Sequence, residues 1–137
     1  MNNEPAQAPA KKILVVDDDE LVLRVLTTKL NAAGFQTATA RDGAGAVQAA
    51  RNEVPDLIVL DITFPPPEDV YGVMWDGFLV MEWLQRMDES RHIPVIVISG
   101  VEPSELDDRS KAVGAVAVFH KPIDHDQLLE AIHKVLG

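Results

Sequence analysis

Four apolar runs of strand length punctuate the chain, and each breaks off at a polar or charged residue. Ile13-Leu14-Val15-Val16 leads into Asp17-Asp18-Asp19, and Leu57-Ile58-Val59-Leu60 into Asp61. Val95-Ile96-Val97-Ile98 leads into Ser99-Gly100, and Val116-Ala117-Val118-Phe119 into His120-Lys121-Pro122. Unalternated runs rich in β-branched residues read as strands buried on both faces, the mark of a parallel sheet covered by helices. The strands are placed at 12–16, 56–60, 94–98 and 116–119, with a more weakly patterned one at 35–40.

Between the strands the apolar period lengthens to that of a helix. From Glu20, the positions Val22, Val25, Leu26, Lys29/Leu30 and Ala33 mark one face, and Gly34 is a natural stop just past the end. Asp42 is placed to cap a short Ala-rich helix over 43–52. A third helix starts with Asp76 as its cap and buries Leu79, Val80, Trp83, Leu84 and Met87, with Trp75 able to staple onto Val80. A fourth begins near Pro103 or Ser104 on a thin stripe of Leu106, Ala112 and Val113. Asp124 and Gln127 open the closing helix, whose stripe is Leu128, Leu129, Ile132, Val135 and Leu136. The order βαβαβαβαβα predicts an α/β fold with an open parallel sheet, in which a ligand site lies outside the carboxyl ends of the strands.

At 137 residues the chain is one domain, and 47% hydrophobic with 25% charged residues is ordinary for a globular protein. No apolar run is long enough to span a membrane, and residues 1–12 lack the apolar core of a signal peptide. The absence of cysteine excludes a disulfide framework or thiolate metal site and fits a reducing cytoplasm. A net charge of −10 argues against direct nucleic-acid binding and favours proteins and metal cations as partners. Residues 1–10 read as a disordered tail and 11–137 as the domain, with no room for an output domain after Gly137. The odd segment is 62–75, fourteen residues between a strand and a helix. Its Val70, Tyr71, Val73, Met74 and Trp75 either fold back onto the third helix or offer a partner surface or pocket cover. Pro65-Pro66-Pro67 within it reads as a stiff spacer.

If Asp17, Asp18 and Asp61 share one pocket, their charges repel by roughly 4 kcal/mol for a pair 4 Å apart at an effective dielectric of 20. Such crowding is too costly to be idle in a domain whose whole net stability is about 5–15 kcal/mol. A hard divalent cation relieves it, and oxygen ligands with retained waters suit Mg²⁺. A carboxylate so placed can attack phosphorus, with Lys121 and the Ser99 hydroxyl supplying donors to the phosphoryl oxygens. Each feature alone has a plainer reading: Asp18 or Asp19 caps a helix, Ser99-Gly100 makes a turn, and Lys121-Pro122 ends a strand. Their combination is what points to chemistry. The histidines His92, His120, His125 and His133 show no metal-ligand spacing and read as surface or capping residues; His120, beside Lys121, is the one that could touch the site.

Over residues 11–136 the chain resembles the receiver domain of two-component response regulators. The resemblance rests on Ile13-Leu14-Val15-Val16-Asp17-Asp18, on Pro55-Asp56-Leu57-Ile58-Val59-Leu60-Asp61 with Phe64-Pro65, on Ile96-Val97-Ile98-Ser99-Gly100, and on Gly114-Ala115 with Lys121-Pro122. It implies a flavodoxin-like doubly wound sheet of strand order 2-1-3-4-5 and a phosphoryl group accepted from a histidine kinase or histidine phosphotransfer protein. Asp61 is then the phosphoacceptor. Mg²⁺ is held by Asp18, Asp61 and the backbone carbonyl of Thr63, with Asp17 helping through water. Ser99 and Lys121 contact the phosphoryl group, Gly100 leaves its approach clear, and the Lys121–Pro122 bond is cis. Three departures stand out. Ten residues separate Pro65 from Asp76-Gly77 where the family pattern has two. Val118 occupies the place of the family's switch aromatic, while Phe119, one step on, belongs to the other face of its strand. Phe64 replaces the common methionine.

The leading expectation is a stand-alone receiver that switches protein contacts on phosphorylation and is not an enzyme. Two alternatives remain open at this point. Asp17-Asp18-Asp19 also resembles the opening motif of haloacid-dehalogenase-type phosphatases, with Asp17 as nucleophile and Asp19 as general acid. A pseudo-receiver that binds partners without phosphorylation is the other.

Overall fold

The computed structural model describes residues 10–61, 77–99 and 114–137. Several expectations lie outside them: the tail over 1–9, the 62–75 segment, the Trp75 and Asp76 contacts, and the helix from Pro103 or Ser104. The elements run β1 (Lys12–Val16), α1 (Glu20–Ala32), β2 (Gln36–Ala40), α2 (Gly43–Glu53), β3 (Leu57–Asp61), α3 (Gly77–Arg86), β4 (Val95–Ser99), β5 (Ala117–His120) and α4 (His125–Leu136). The five strands form one sheet in the order β2-β1-β3-β4-β5, with every neighbouring pair parallel. This is the flavodoxin-like doubly wound arrangement expected.

The apolar strands are central for a physical reason. Every residue of β3 and β4 is buried, so their side chains must be apolar on both faces or find polar partners. Alternation divides them between two cores. Leu14, Val16, Ile58, Leu60, Val95 and Val97 pack with residues of α2 and α3. Ile13, Val15, Leu57, Val59, Ile96 and Ile98 pack with Leu23, Leu26 and Leu30 of α1 and Leu128 and Ile132 of α4. The polar β2, with only Ala40 buried, sits at the sheet edge.

Helix starts follow the expected chemistry. Asp42 accepts from the Gly45 amide, and Asp124 accepts from the amides of Asp126 and Gln127. Gly34 takes φ +96, the left-handed stop expected of it after α1. Between Asp18 and Asp19, it is Asp19 that caps α1, accepting from the Leu21 amide at 2.9 Å.

Some details differ from the expected pattern. β3, β4 and β5 each begin and end one residue later than read, because the polar residue closing each run still completes the ladder. In α1, Leu23 is buried while Val25 and Ala33 are exposed. In α3, Met81 is fully buried and Trp83 is 48% exposed; in α4, Val135 is exposed at the rim. Each helix carries more apolar residues than one stripe can hold, so periodicity alone left two phases open. Contact with the sheet chose between them.

Candidate functional site

β1 and β3 lie side by side at the point where strand order reverses, and both end in carboxylates. In doubly wound sheets this is where a crevice opens outside the strand ends. Asp17 follows β1 directly, its amide donating to the Ala40 carbonyl of the β2 edge. Asp61 is the last residue of β3 and pairs in register with Ile98. Asp17 and Asp61 are buried, and Asp18 beside them is exposed. One carboxylate oxygen from each of the three lies within 4.8 Å of the others.

Among the described residues a single ammonium group faces the buried pair. Lys121 Nζ donates to Asp61 Oδ2 at 2.8 Å and stands 3.6 Å from Asp17 Oδ2. Its backbone is held by the next ladder step, the Lys121 amide donating to the Ser99 carbonyl at 2.8 Å. Burial works against the charge of Lys121, but the hydrogen bond and charge of Asp61, with Asp17 behind it, hold the pKa above the ordinary lysine value. Ser99 ends β4, wholly buried, in register with His120. The Lys121–Pro122 bond is cis, as the resemblance implies.

Asp17 shows what the crowding costs. Desolvation pushes its carboxyl up to about 7, the Asp61 charge adds to the rise, and the Asp19 amide and Lys121 only partly offset them. Among the described residues, one ammonium stands against three carboxylates. The set is all oxygen, half enclosed and open to solvent at Asp18, which fits a hard divalent cation that keeps some of its waters. The donors present would be Asp17, Asp18 and Asp61; the Thr63 carbonyl lies outside the described residues, as does Gly100.

The structure therefore brings together Asp17, Asp18, Asp61 and Lys121, with Ser99 tied to Lys121 through the β4–β5 ladder. Asp19 is not one of this group; its carboxylate caps α1, accepting from the Leu21 amide, which counts against the general-acid role that the phosphatase alternative gives it. Sequence reasoning missed one feature. Leu21 and Val25, 66% and 38% exposed, join Val22, Pro122 and Ile123 along an open apolar groove beside Lys121. The signal was present in the second apolar stripe of α1, at i and i+4 from Leu21.

The sheet order, with an acid–lysine cluster at its switch point, is that of the CheY-like flavodoxin fold. The chain belongs to the response regulator receiver domain family, whose family model matches residues 13–133. It is accordingly a signalling domain of two-component systems rather than an enzyme. Among similar proteins is the polar-differentiation response regulator DivK of Brucella anthropi, 33% identical over 127 residues, which are 93% of this chain and 97% of that protein. DivK of Brucella ovis is 32% identical over the same shares. Among solved structures, the chemotaxis protein CheY4 of Vibrio cholerae superposes with a TM-score of 0.81 at 26% identity, covering 93% of this chain and 99% of that one. A CheY-like receiver domain protein of Methanospirillum hungatei gives 0.80 at 26% identity, covering 93% and 94%. Among the described residues no helix is long and apolar enough to cross a membrane.

Proposed function

We propose that the protein is a phosphoacceptor response regulator in which Asp61 takes a phosphoryl group from a phosphohistidine and the phosphorylated form switches protein contacts. The observation that carries this reading is the buried Asp61 carboxylate held by Lys121 at 2.8 Å, with two further carboxylates beside it. An Asp61 oxygen attacks phosphorus as the phosphorus–nitrogen bond of the donor breaks; the imidazole leaves with the bond pair and takes up a proton. The product is an acyl phosphate on Asp61. Lys121 turns from carboxylate to phosphoryl oxygen, and the Ser99 hydroxyl donates to a second one. Asp18 and Asp61, with Asp17 through water and the Thr63 carbonyl, would hold Mg²⁺, which when bound would supply charge neutralisation to the transferring group. Gly100, having no side chain, would leave the approach open.

The donor is a histidine kinase or histidine phosphotransfer protein, and the compartment is the cytoplasm. The groove of Leu21, Val25, Pro122 and Ile123 is the surface proposed to receive the donor protein, since it adjoins Lys121, which holds Asp61. The downstream target is a protein, not nucleic acid or a membrane, in keeping with the net charge of −10. The residues 62–75, beside Asp61 in the chain, are proposed as an extended loop of the same domain.

The deciding experiment treats the protein with Mg²⁺ and a small phosphodonor and maps the adduct by mass spectrometry. Phosphate is expected on Asp61 and lost in Asp61→Asn; an adduct that survives this substitution sinks the assignment.

A further inference from the structure

Ser99 and Lys121, the two residues that would meet the phosphoryl oxygens, are joined through β4 and β5, and the junction runs past His120. Ser99 and His120 are register partners in the parallel ladder, and register partners on adjacent strands present their side chains on one face of the sheet. Two independent packing facts identify that face. Val118 packs against the cluster that holds Val95 and Val97 on the α2 and α3 side, whereas Ala117 and Phe119 pack on the α1 and α4 side. By alternation His120 shares the Val118 face, and Ser99 shares that of Val95 and Val97. The His120 Nδ1 atom is buried.

This puts a two-nitrogen ring alongside the hydroxyl that must turn when phosphorus arrives. Ser99 is fully buried, so its hydroxyl exchanges partners with protein groups and not with bulk water. A hydroxyl that starts to donate to a phosphoryl oxygen changes what it offers to its other neighbours. Imidazole answers such a change by rotating or by exchanging its donor and acceptor nitrogens. Val118, the other β5 residue on this face, has no polar side-chain atom with which to answer. His120 is also bonded directly to Lys121, which holds Asp61.

We infer that His120 is the positioning residue for the Ser99 hydroxyl, its ring following the hydroxyl as Ser99 turns toward the phosphoryl group on Asp61. The inference rests on Asp61 being the phosphoacceptor. It makes β5 a reporter of phosphorylation through the dipeptide His120-Lys121.

Two measurements on the full chain test it. In protein with isotope-labelled histidine, Mg²⁺ and beryllofluoride are expected to shift the His120 ring resonances, with His92, His125 and His133 as internal controls. Bound beryllofluoride, seen by its own fluorine signal, with an unmoved His120 ring overturns the inference. No bound fluoride and no phosphate on Asp61 overturns the phosphoacceptor reading and this inference with it. The second measurement is a double-mutant cycle on the rate of phosphorylation by a small phosphodonor. His120→Leu is expected to slow the rate roughly fivefold, the weight of one hydrogen bond, and to have no further effect once Ser99→Ala is present. Equal fold-changes in both backgrounds would mark His120 as merely structural and overturn the inference.

Discussion

Asp17 is where the cost of the site is concentrated, and its protonation gives the pH behaviour a definite sign. The unfolded carboxyl titrates at 3.8 and the folded one at about 7. Between those values the folded state holds a proton that the unfolded state has released, so Asp17 makes stability fall as pH rises through that window. Without Mg²⁺, the urea midpoint is expected to drop between pH 5 and pH 7, and Asp17→Asn is expected to flatten that slope; a wild-type midpoint that climbs instead would refute the account. Metal binding draws on the same proton. Below about 7 the apparent Mg²⁺ affinity should gain up to about tenfold per pH unit, which calorimetry at several pH values measures. The site residues at this scale were legible because each ends an apolar run: Asp17 and Asp61, Ser99, and Lys121 one step past β5. A charge placed at the end of a buried strand is conspicuous in a way that a charge on a helix surface is not.

At the scale of the element, caps and stripes decide what a residue is free to do. Asp19 is held by α1, accepting from the Leu21 amide, so Asp19→Ala should cost about 1 kcal/mol in chemical denaturation. The same variant should still accept phosphate on Asp61; abolished phosphorylation would make Asp19 part of the site instead of a cap. The end of α2 is less well provided for. Val54, a β-branched residue, sits at φ 46 and ψ 62, the left-handed conformation that costs a side chain roughly 1–2 kcal/mol. Glycine escapes that cost but loses more freedom on folding. Val54→Gly should therefore raise stability by about 0.5–1 kcal/mol, read from the urea midpoint at unchanged m-value. Caps at Asp42 and Asp124 were readable from local chemistry because they need only their own helix. The burial of Leu23 over Val25, and of Met81 over Trp83, was not readable, since both phases are apolar and only the sheet surface distinguishes them.

For the molecule as a whole, the sheet order brings the ends of β1, β3, β4 and β5 to one edge and leaves the α1 groove beside it. If that groove receives the donor protein, Leu21→Arg should slow phosphorylation by a phosphohistidine protein at least tenfold, a loss of about 1.4 kcal/mol. Phosphorylation of the same variant by a small phosphodonor should be unchanged, and equal slowing with both donors would remove the groove from the docking surface. The number and type of described elements, the buried strands and the residues that end them follow from the amino-acid order alone. They depend on contrasts between neighbours: apolar against charged, period two against period 3.6. Which of two apolar stripes turns inward, that three carboxylates meet within 4.8 Å, and that Lys121 reaches two of them at once were decided by tertiary structure. Those facts join residues as far apart as 17 and 121, and only the packing of the assembled sheet sets the distance between them.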